Sequence, residues 1–316
     1  MTRVLVTGIY GFIPSRLAAM LLDAEYSVVG FGRCSDQRNL RRIDAIKDNP
    51  SLRLVHGDLT GDISGLVEGC DVIVHAAAKT FVDHSILSPE PFIQSNIVGT
   101  YKLLEQARMY GPKRYIQVST DEVYGQILEG SYREDAPLGP RNPYASTKAA
   151  GDLLALSYFT SYGLPVIVTR TENNAGPYQH PQKAFPTFVR KALANEPIPI
   201  YGDGKHSRMW MYVDDHCQAI IDLIERGVPG NIYHVAGEQE LQNLDLAKQI
   251  LAILGKPDGM IEFVPDNKIR PGHDRRYALD STKIRSSPVS WKPKYGIART
   301  ISETVEWYRN NQWWLA

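Results

Sequence analysis

From Val4 to Arg170, short β-branched runs alternate with longer stretches of helical periodicity, and this alternation restricts the fold more than any other feature. Val4–Thr7, Ser27–Gly32, Arg53–His56, Val72–His75, Tyr115–Ser119 and Pro165–Arg170 are expected as strands. Ile13–Ala24, Phe92–Tyr110 and Tyr144–Tyr162 are expected as helices. A helix between successive strands returns the chain to the same end of the sheet, so the strands run parallel, with helices on both faces. The expected fold class is therefore α/β, a Rossmann-type doubly wound parallel sheet. Ligands of such a sheet sit beyond the carboxyl ends of its strands, in the turns that lead into helices.

After Arg170 the pattern changes. Pro177, Pro181, Pro186, Pro197 and Pro199 break the chain into short pieces, with helices expected at Asp214–Ile224 and Leu244–Leu254. The sequence thus divides into a dinucleotide-binding domain over 1–170 and a smaller, mainly substrate-binding lobe over 171–316, with some segments returning to the first domain. Helix Phe92–Tyr110 and terminal helix Thr300–Asn311 carry apolar spacing that serves either core packing or a homodimer bundle.

Thirty-five basic and 35 acidic residues cancel, which leaves no general field to attract nucleic acid or an anionic membrane. An anionic ligand must be held locally. Cys34, Cys70 and Cys217 are odd in number and far apart, which argues against a disulfide framework and against zinc; no metal is expected, and a reducing cytoplasm fits. The opening Met1-Thr2-Arg3 runs straight into a strand, so no signal peptide is expected, and no apolar run is long enough for a bilayer.

The first strand leads into Gly8-Ile9-Tyr10-Gly11-Phe12-Ile13-Pro14. Glycines there permit a tight turn and let backbone amides approach a pyrophosphate at a helix N-terminus. Gly8, Gly11, Phe12 and Ile13 are accordingly expected at a nicotinamide dinucleotide, with Asp58, Leu59, Ala77 and Ala78 from later strand ends. Asp58 is positioned to accept from the adenine amino group. Pro14 and Ile9 stand where the fingerprint favours glycine; a proline in a first helical turn loses no hydrogen bond. At the end of the second strand no carboxylate awaits the adenosine ribose. Gly32-Arg33 stands there instead, with Arg38, Arg41 and Arg42 following, and guanidinium suits a 2′-phosphate, so NADP is favoured slightly over NAD.

Tyr144 and Lys148 lie four residues apart, on one face of an expected helix. A cation beside a phenol favours the phenolate, bringing it into range as a general base on a sugar hydroxyl. Such a pair also occurs on ordinary solvated helices, so context decides. Ser119-Thr120-Asp121-Glu122-Val123-Tyr124-Gly125 ends a strand, and a proline-rich link then delivers the chain to Tyr144-Ala145-Ser146-Thr147-Lys148.

With the glycine turn, these segments resemble the extended short-chain dehydrogenase/reductase superfamily and its epimerase/dehydratase family. STDEVYG and YASTK are most similar to the nucleotide-sugar 4,6-dehydratases of the dTDP-glucose type. Val82-Asp83-His84-Ser85-Ile86, Asn96-Ile97-Val98-Gly99-Thr100, Asn173-Asn174, Gly176-Pro177-Tyr178 and Arg270 to Tyr277 extend the resemblance over nearly the whole chain. The resemblance implies that Tyr144 takes the O4 proton while Thr120 hydrogen-bonds the developing ketone, with Tyr144 and Lys148 also beside the dinucleotide. It further implies that hydride leaves C4 for the cofactor, Glu122 removes the C5 proton, Asp121 protonates the leaving C6 hydroxyl and the hydride then returns to C6, giving a 4-keto-6-deoxy sugar with the cofactor regenerated. By position, Thr80, Asn174, Lys183, Tyr201, Arg208, Asn243, Arg270 and His273 gather around the nucleotide-diphosphate sugar.

Lys79, Phe81, Glu172, Ala175 and Met209 depart from that pattern and leave the sugar open. Two other readings compete. One is a 4-epimerase or decarboxylase using the same Tyr and Lys; the other is a non-catalytic dinucleotide-binding sensor. Simple C4 inversion does not require Asp121-Glu122, and a sensor does not require a complete Thr-Tyr-Lys set.

Overall fold

The computed structural model describes residues 1–34, 37–265 and 274–315. Strands β1 (Arg3–Thr7), β2 (Ser27–Gly32), β3 (Leu52–His56), β4 (Val72–His75), β5 (Arg114–Thr120) and β6 (Val166–Thr171) form where the sequence predicts, with helices between them except from β3 to β4, where turns alone connect the strands. Shorter strands follow: β7 (Asn173–Ala175), β8 (Ile198–Tyr201), β9 (Ser207–Tyr212), β10 (Ile232–Val235), β11 (Glu240–Gln242) and β12 (Ile261–Val264).

Seven strands form one sheet in the order β10-β6-β5-β4-β1-β2-β3, every pair parallel. Alternation along β1 explains the layers. Val4 and Val6 pack with Leu17 and Leu21 of helix Phe12–Asp23 and with Ile220 of helix Val213–Arg226. Leu5 faces the opposite layer, with Leu103 and Leu104 of helix Gly99–Tyr110 and Ala155 of helix Pro143–Tyr162. The order reverses at β1, whose neighbours β2 and β4 lead away in opposite directions and open a crevice at their carboxyl ends.

The seventh strand, β10, was not expected from sequence: Ile232–Val235 is too short to show a period. The expected helix Phe92–Tyr110 is interrupted as well, with a π-helical turn at Ile93–Val98 ahead of Gly99–Tyr110. The widened turn carries Asn96 inward, where it accepts from Lys79 N at 2.8 Å and donates to Lys79 O and Thr147 Oγ1. The apolar face of the terminal helix, Ile297–Asn310, is core: Ile301, Val305 and Tyr308 pack with Phe185, Trp210 and Ile250 beneath the three-stranded sheet β11-β9-β7. Among the described residues no helix is long and apolar enough to cross a membrane.

Candidate active site

The glycine turn is built as its sequence suggests. Gly8 has φ 77°, and a Cβ there would stand 2.9 Å from Ala77 Cα, so both the conformation and the approach of the β4 end exclude a larger residue. Gly11 caps helix Phe12–Asp23 with no side-chain bond, leaving the first-turn amides of Phe12 and Ile13 facing the crevice; Pro14 has no N–H to satisfy. That donor set fits an anionic pyrophosphate. Ile9 is accommodated by Gly30 on β2, where a Cβ would lie 2.7 Å from Ile9 Cγ1.

Across the turn, Thr7 Oγ1 accepts from Ala76 N and Ala77 N, both at 3.1 Å, and meets His75 Nδ1 at 2.8 Å. Burial pushes His75 down to about 3, so the imidazole stays neutral. Thr100 donates to Asn96 O, hence its oxygen accepts from His75 Nε2–H, which fixes the tautomer that lets Thr7 donate to Nδ1. This chain of bonds sets the loop Ala76–Ala78.

Gly8, Gly11, Phe12, Ile13, Arg33, Asp58, Leu59, Ala77, Ala78 and Tyr144 all line one cavity of about 470 Å³, a volume suited to a cofactor. Lys148 does not line it; the side chain lies beneath the floor. Arg33 pairs with Asp58 at 3.0 Å. Arg38, Arg41 and Arg42 lie over the rings of Trp314, Trp313 and Trp314, and Arg42 also donates to the Tyr10 and Tyr178 carbonyls. The basic cluster read as a phosphate site is therefore largely engaged with the chain's own terminal aromatics.

At the end of β5, Thr120 Oγ1 donates to Asp121 Oδ1 at 3.0 Å and accepts from Glu122 N at 3.3 Å. Burial, then the neighbouring Glu122, pushes the Asp121 carboxyl up to about 7. Burial raises Glu122 too, against Lys183, Asn142 and Arg208, which favour its ionised form. Tyr144, buried at the second position of its helix, shares a hydrogen bond with Thr120. Burial and the Glu122 carboxylate hold its hydroxyl above the usual tyrosine range, with Thr120 opposing.

Burial thus outweighs any easing of the phenol toward ionisation by Lys148. The ammonium is itself buried, is pushed below the usual lysine range by that burial, and donates to Val118 O at 2.6 Å. Below it, Asp152 accepts from Ser119 Oγ and from Arg170 Nε, a pair wholly inside the protein.

A second cavity, of about 390 Å³, is lined by Lys183, Tyr201, Arg208 and Asn243 among the expected substrate residues, together with His84, Asn173, His206 and Tyr277, which sequence reasoning missed. Tyr277 lies under the Arg208 guanidinium, 4.5 Å from its ring centre. Glu122, Asn173, Gln179, Phe81 and Lys183 line both cavities and mark where they join. Asn174 and Thr80 line only the first. The Asn174 side chain turns to Glu172 O and His216 Nδ1, so its neighbour Asn173, at the junction, is the asparagine that reaches the second cavity. Asn173 was hidden because two adjacent asparagines on a short strand differ only in the face they take. Arg270 and His273 lie outside the described residues. Among the described residues no group of His, Cys, Asp and Glu could hold a metal.

A dinucleotide crevice at the sheet's switch point, opening into a second cavity past a Thr-Tyr-Lys set, defines an enzyme of the short-chain dehydrogenase/reductase type. More narrowly, the chain belongs to the GDP-mannose 4,6 dehydratase family, whose model matches residues 5–304. It is 43% identical to a dTDP-glucose 4,6-dehydratase of Streptomyces niveus over 99% of this chain and 94% of that one. A solved dTDP-glucose 4,6-dehydratase of Streptomyces venezuelae, with NAD bound, superposes with a TM-score of 0.92 at 41% identity, covering 99% and 98% of the two chains. The UDP-glucuronic acid 4-epimerase of Bacillus cereus shares the fold (TM-score 0.93) at 26% identity, covering 98% of this chain and all of that one (100%). In activity the chain is a nucleotide-sugar 4,6-dehydratase, a hydro-lyase dependent on a nicotinamide dinucleotide.

Proposed function

We propose that the substrate is dTDP-glucose and that water is eliminated across C5 and C6 by Glu122 and Asp121 after Tyr144 has opened oxidation at C4. The observation that carries this reading is the paired carboxyls, Glu122 where the two cavities join and Asp121 beside it on the wall of the first. Asp121 is held protonated to about neutral pH; Glu122, raised by burial as well, has Lys183, Asn142 and Arg208 beside it to favour its ionised form. An elimination needs one acid and one base, and two carboxyls in unlike surroundings divide that work. The shared fold does not separate dehydratase from epimerase; this pair does.

A nicotinamide dinucleotide, when bound, supplies reversible hydride acceptance and a cationic oxidised ring that favours ionised Tyr144. Tyr144 then takes the O4 proton, while the Thr120 hydroxyl turns from Asp121 to donate to the carbonyl oxygen forming at C4. Buried Lys148 stiffens the floor by tying the helix to Val118 O. Lys183 and Arg208 supply local positive charge for the diphosphate on an otherwise neutral chain, with Tyr201, Asn243, Asn173 and Tyr277 lining its cavity. Residues 1–170 serve as the dinucleotide domain; 171–316 serve mainly as the substrate lobe, with β10 and helix Val213–Arg226 returning to the first. A homodimer through the exposed Tyr101, Met109, Leu153 and Phe159 of helices Gly99–Tyr110 and Pro143–Tyr162 fits this architecture, and free cysteines fit a cytoplasmic setting.

Incubated with dTDP-glucose, the purified protein yields a product lighter by one water. Unchanged mass with inverted C4 configuration would instead support the epimerase reading. NAD, rather than the NADP suggested by Gly32-Arg33, is the cofactor proposed here, because Arg33 is paired with Asp58 and the neighbouring arginines lie against Trp313 and Trp314. The dinucleotide released on denaturing the protein is then NAD. Release of NADP would restore Arg33 to a 2′-phosphate.

A further inference from the structure

Asn142 uses both ends of one amide. It is the N-cap of helix Pro143–Tyr162, and its Oδ1 accepts from Ala145 N at 2.9 Å. A backbone N–H only donates, so the atom facing it is the oxygen, and the opposite end of the amide must be NH2. That NH2 donates to Glu122 Oε2 at 3.3 Å. At 5% exposure, Asn142 is shielded from competing water. The same turn is pinned twice more: Tyr144 N donates to Ser85 Oγ at 3.1 Å, and Asn142 O accepts from Ser146 N. The residue that starts the tyrosine's helix thus also holds the carboxylate at the cavity junction.

We propose that Asn142 is a positioning residue for the elimination step, aiming Glu122 at the sugar and registering it to Tyr144. The inference rests on the roles assigned above to those two residues. Glu122 is faced by Asp121 on its own turn, Tyr144 from the helix, Lys183 ahead of helix Ala184–Leu193, Arg208 from β9, and Asp274 and Tyr277 from the C-terminal segment. Lys183 also donates to Thr80 O, and Arg208 to the carbonyls of Ser207, Asp274 and Arg275, so both have ties elsewhere. The amide of Asn142 adds a directed hydrogen bond to one carboxylate oxygen, which fixes orientation as well as charge.

A donor to a carboxylate favours its ionised form. Removing that donor raises the Glu122 carboxyl further, so the base is ionised only at higher pH. Asn142→Ser keeps a good helix cap while its short side chain leaves Glu122; Asn142→Asp keeps the cap and turns the donor into a like charge. Thermal melting and helicity should stay near wild type in both.

In Asn142→Ser, exchange of the C5 hydrogen with solvent should slow about tenfold relative to C4 oxidation, and the acidic limb of kcat should move to higher pH. Asn142→Asp should move both further in the same direction. A carbon-13 titration of Glu122 in the sugar-free protein should show the same upward displacement. An unmoved Glu122 titration in folded Asn142→Ser overturns the proposal, whichever sugar is turned over, as does equal slowing of both steps, the mark of a helix cap alone. Wild-type protein that does not dehydrate dTDP-glucose sinks the assigned substrate. The Glu122 titration then still decides the role of Asn142.

Discussion

Tyr144→Phe is expected to lower kcat for dehydration by about three orders of magnitude while leaving KM within a few-fold, because it removes a proton acceptor and little else. The ring is buried and its hydroxyl meets Thr120, so phenylalanine fills the same space. The cost to folding is one partly satisfied hydrogen bond, about 1 kcal/mol, small enough for the variant to be compared at the same temperature. Burial together with Glu122 and Asp121 holds the phenol above its ordinary range, and a group raised in this way binds its proton more tightly and loses it only at higher pH. The acidic limb of C4 oxidation in the wild type should therefore lie at higher pH than an unburied tyrosine would give, and it should vanish in Tyr144→Phe. Stopped-flow measurement of C4 oxidation is the direct check. A variant that oxidises C4 at the wild-type rate, yet fails to release product, would move the tyrosine out of the first step.

The legible part of this protein was its periodic part. Strand–helix alternation predicts six strands of the sheet and their parallel direction, since burial on both faces demands continuous apolar runs such as Val72–His75. Interruptions of that period were not legible. Asn96 looks like any polar residue in a helix, and only the π-helical turn reveals it as the link between Lys79 and Thr147.

The two departures in the glycine turn read differently in three dimensions. Ile9 is matched by Gly30 across the strand pair, and Pro14 falls where the helix has no bond to lose. A sequence read along one strand cannot see that compensation on another. Charge pairing is hidden in the same way. Arg33 faces Asp58 from the end of the neighbouring strand, a pairing that parallel register creates and that no spacing announces. Tyr144 and Lys148 share a helix face as their spacing requires. Yet the depth of burial, which spacing does not encode, sends the ammonium to Val118 O and raises the phenol.

Glu122→Gln should abolish loss of water while C4 oxidation continues, so the 4-keto sugar accumulates with its C6 hydroxyl intact and its C5 hydrogen no longer exchanges with solvent. General-base removal alone accounts for about 10²–10⁴-fold. The substitution also strips a negative charge from beside Asp121 and Tyr144, whose raised proton affinities owe part of their size to it. Asp121 then titrates lower, although burial still holds it up, and less of it is protonated at neutral pH. Base and acid are thus weakened together.

Asp121→Asn separates the two contributions, because it spares the base: C5 exchange should persist while departure of the C6 hydroxyl slows. The sign of the pH dependence follows from the same carboxyl. A pKa raised to about 7 means that Asp121 carries its proton below that pH and loses it above, so wild-type dehydration should decline on the alkaline side of about pH 7. In Asp121→Asn that decline should disappear and leave a low, flat rate. Persistence of the limb would assign the acid to another group, and equal loss of C5 exchange and water release in Glu122→Gln and Asp121→Asn would mean that the pair acts as one unit.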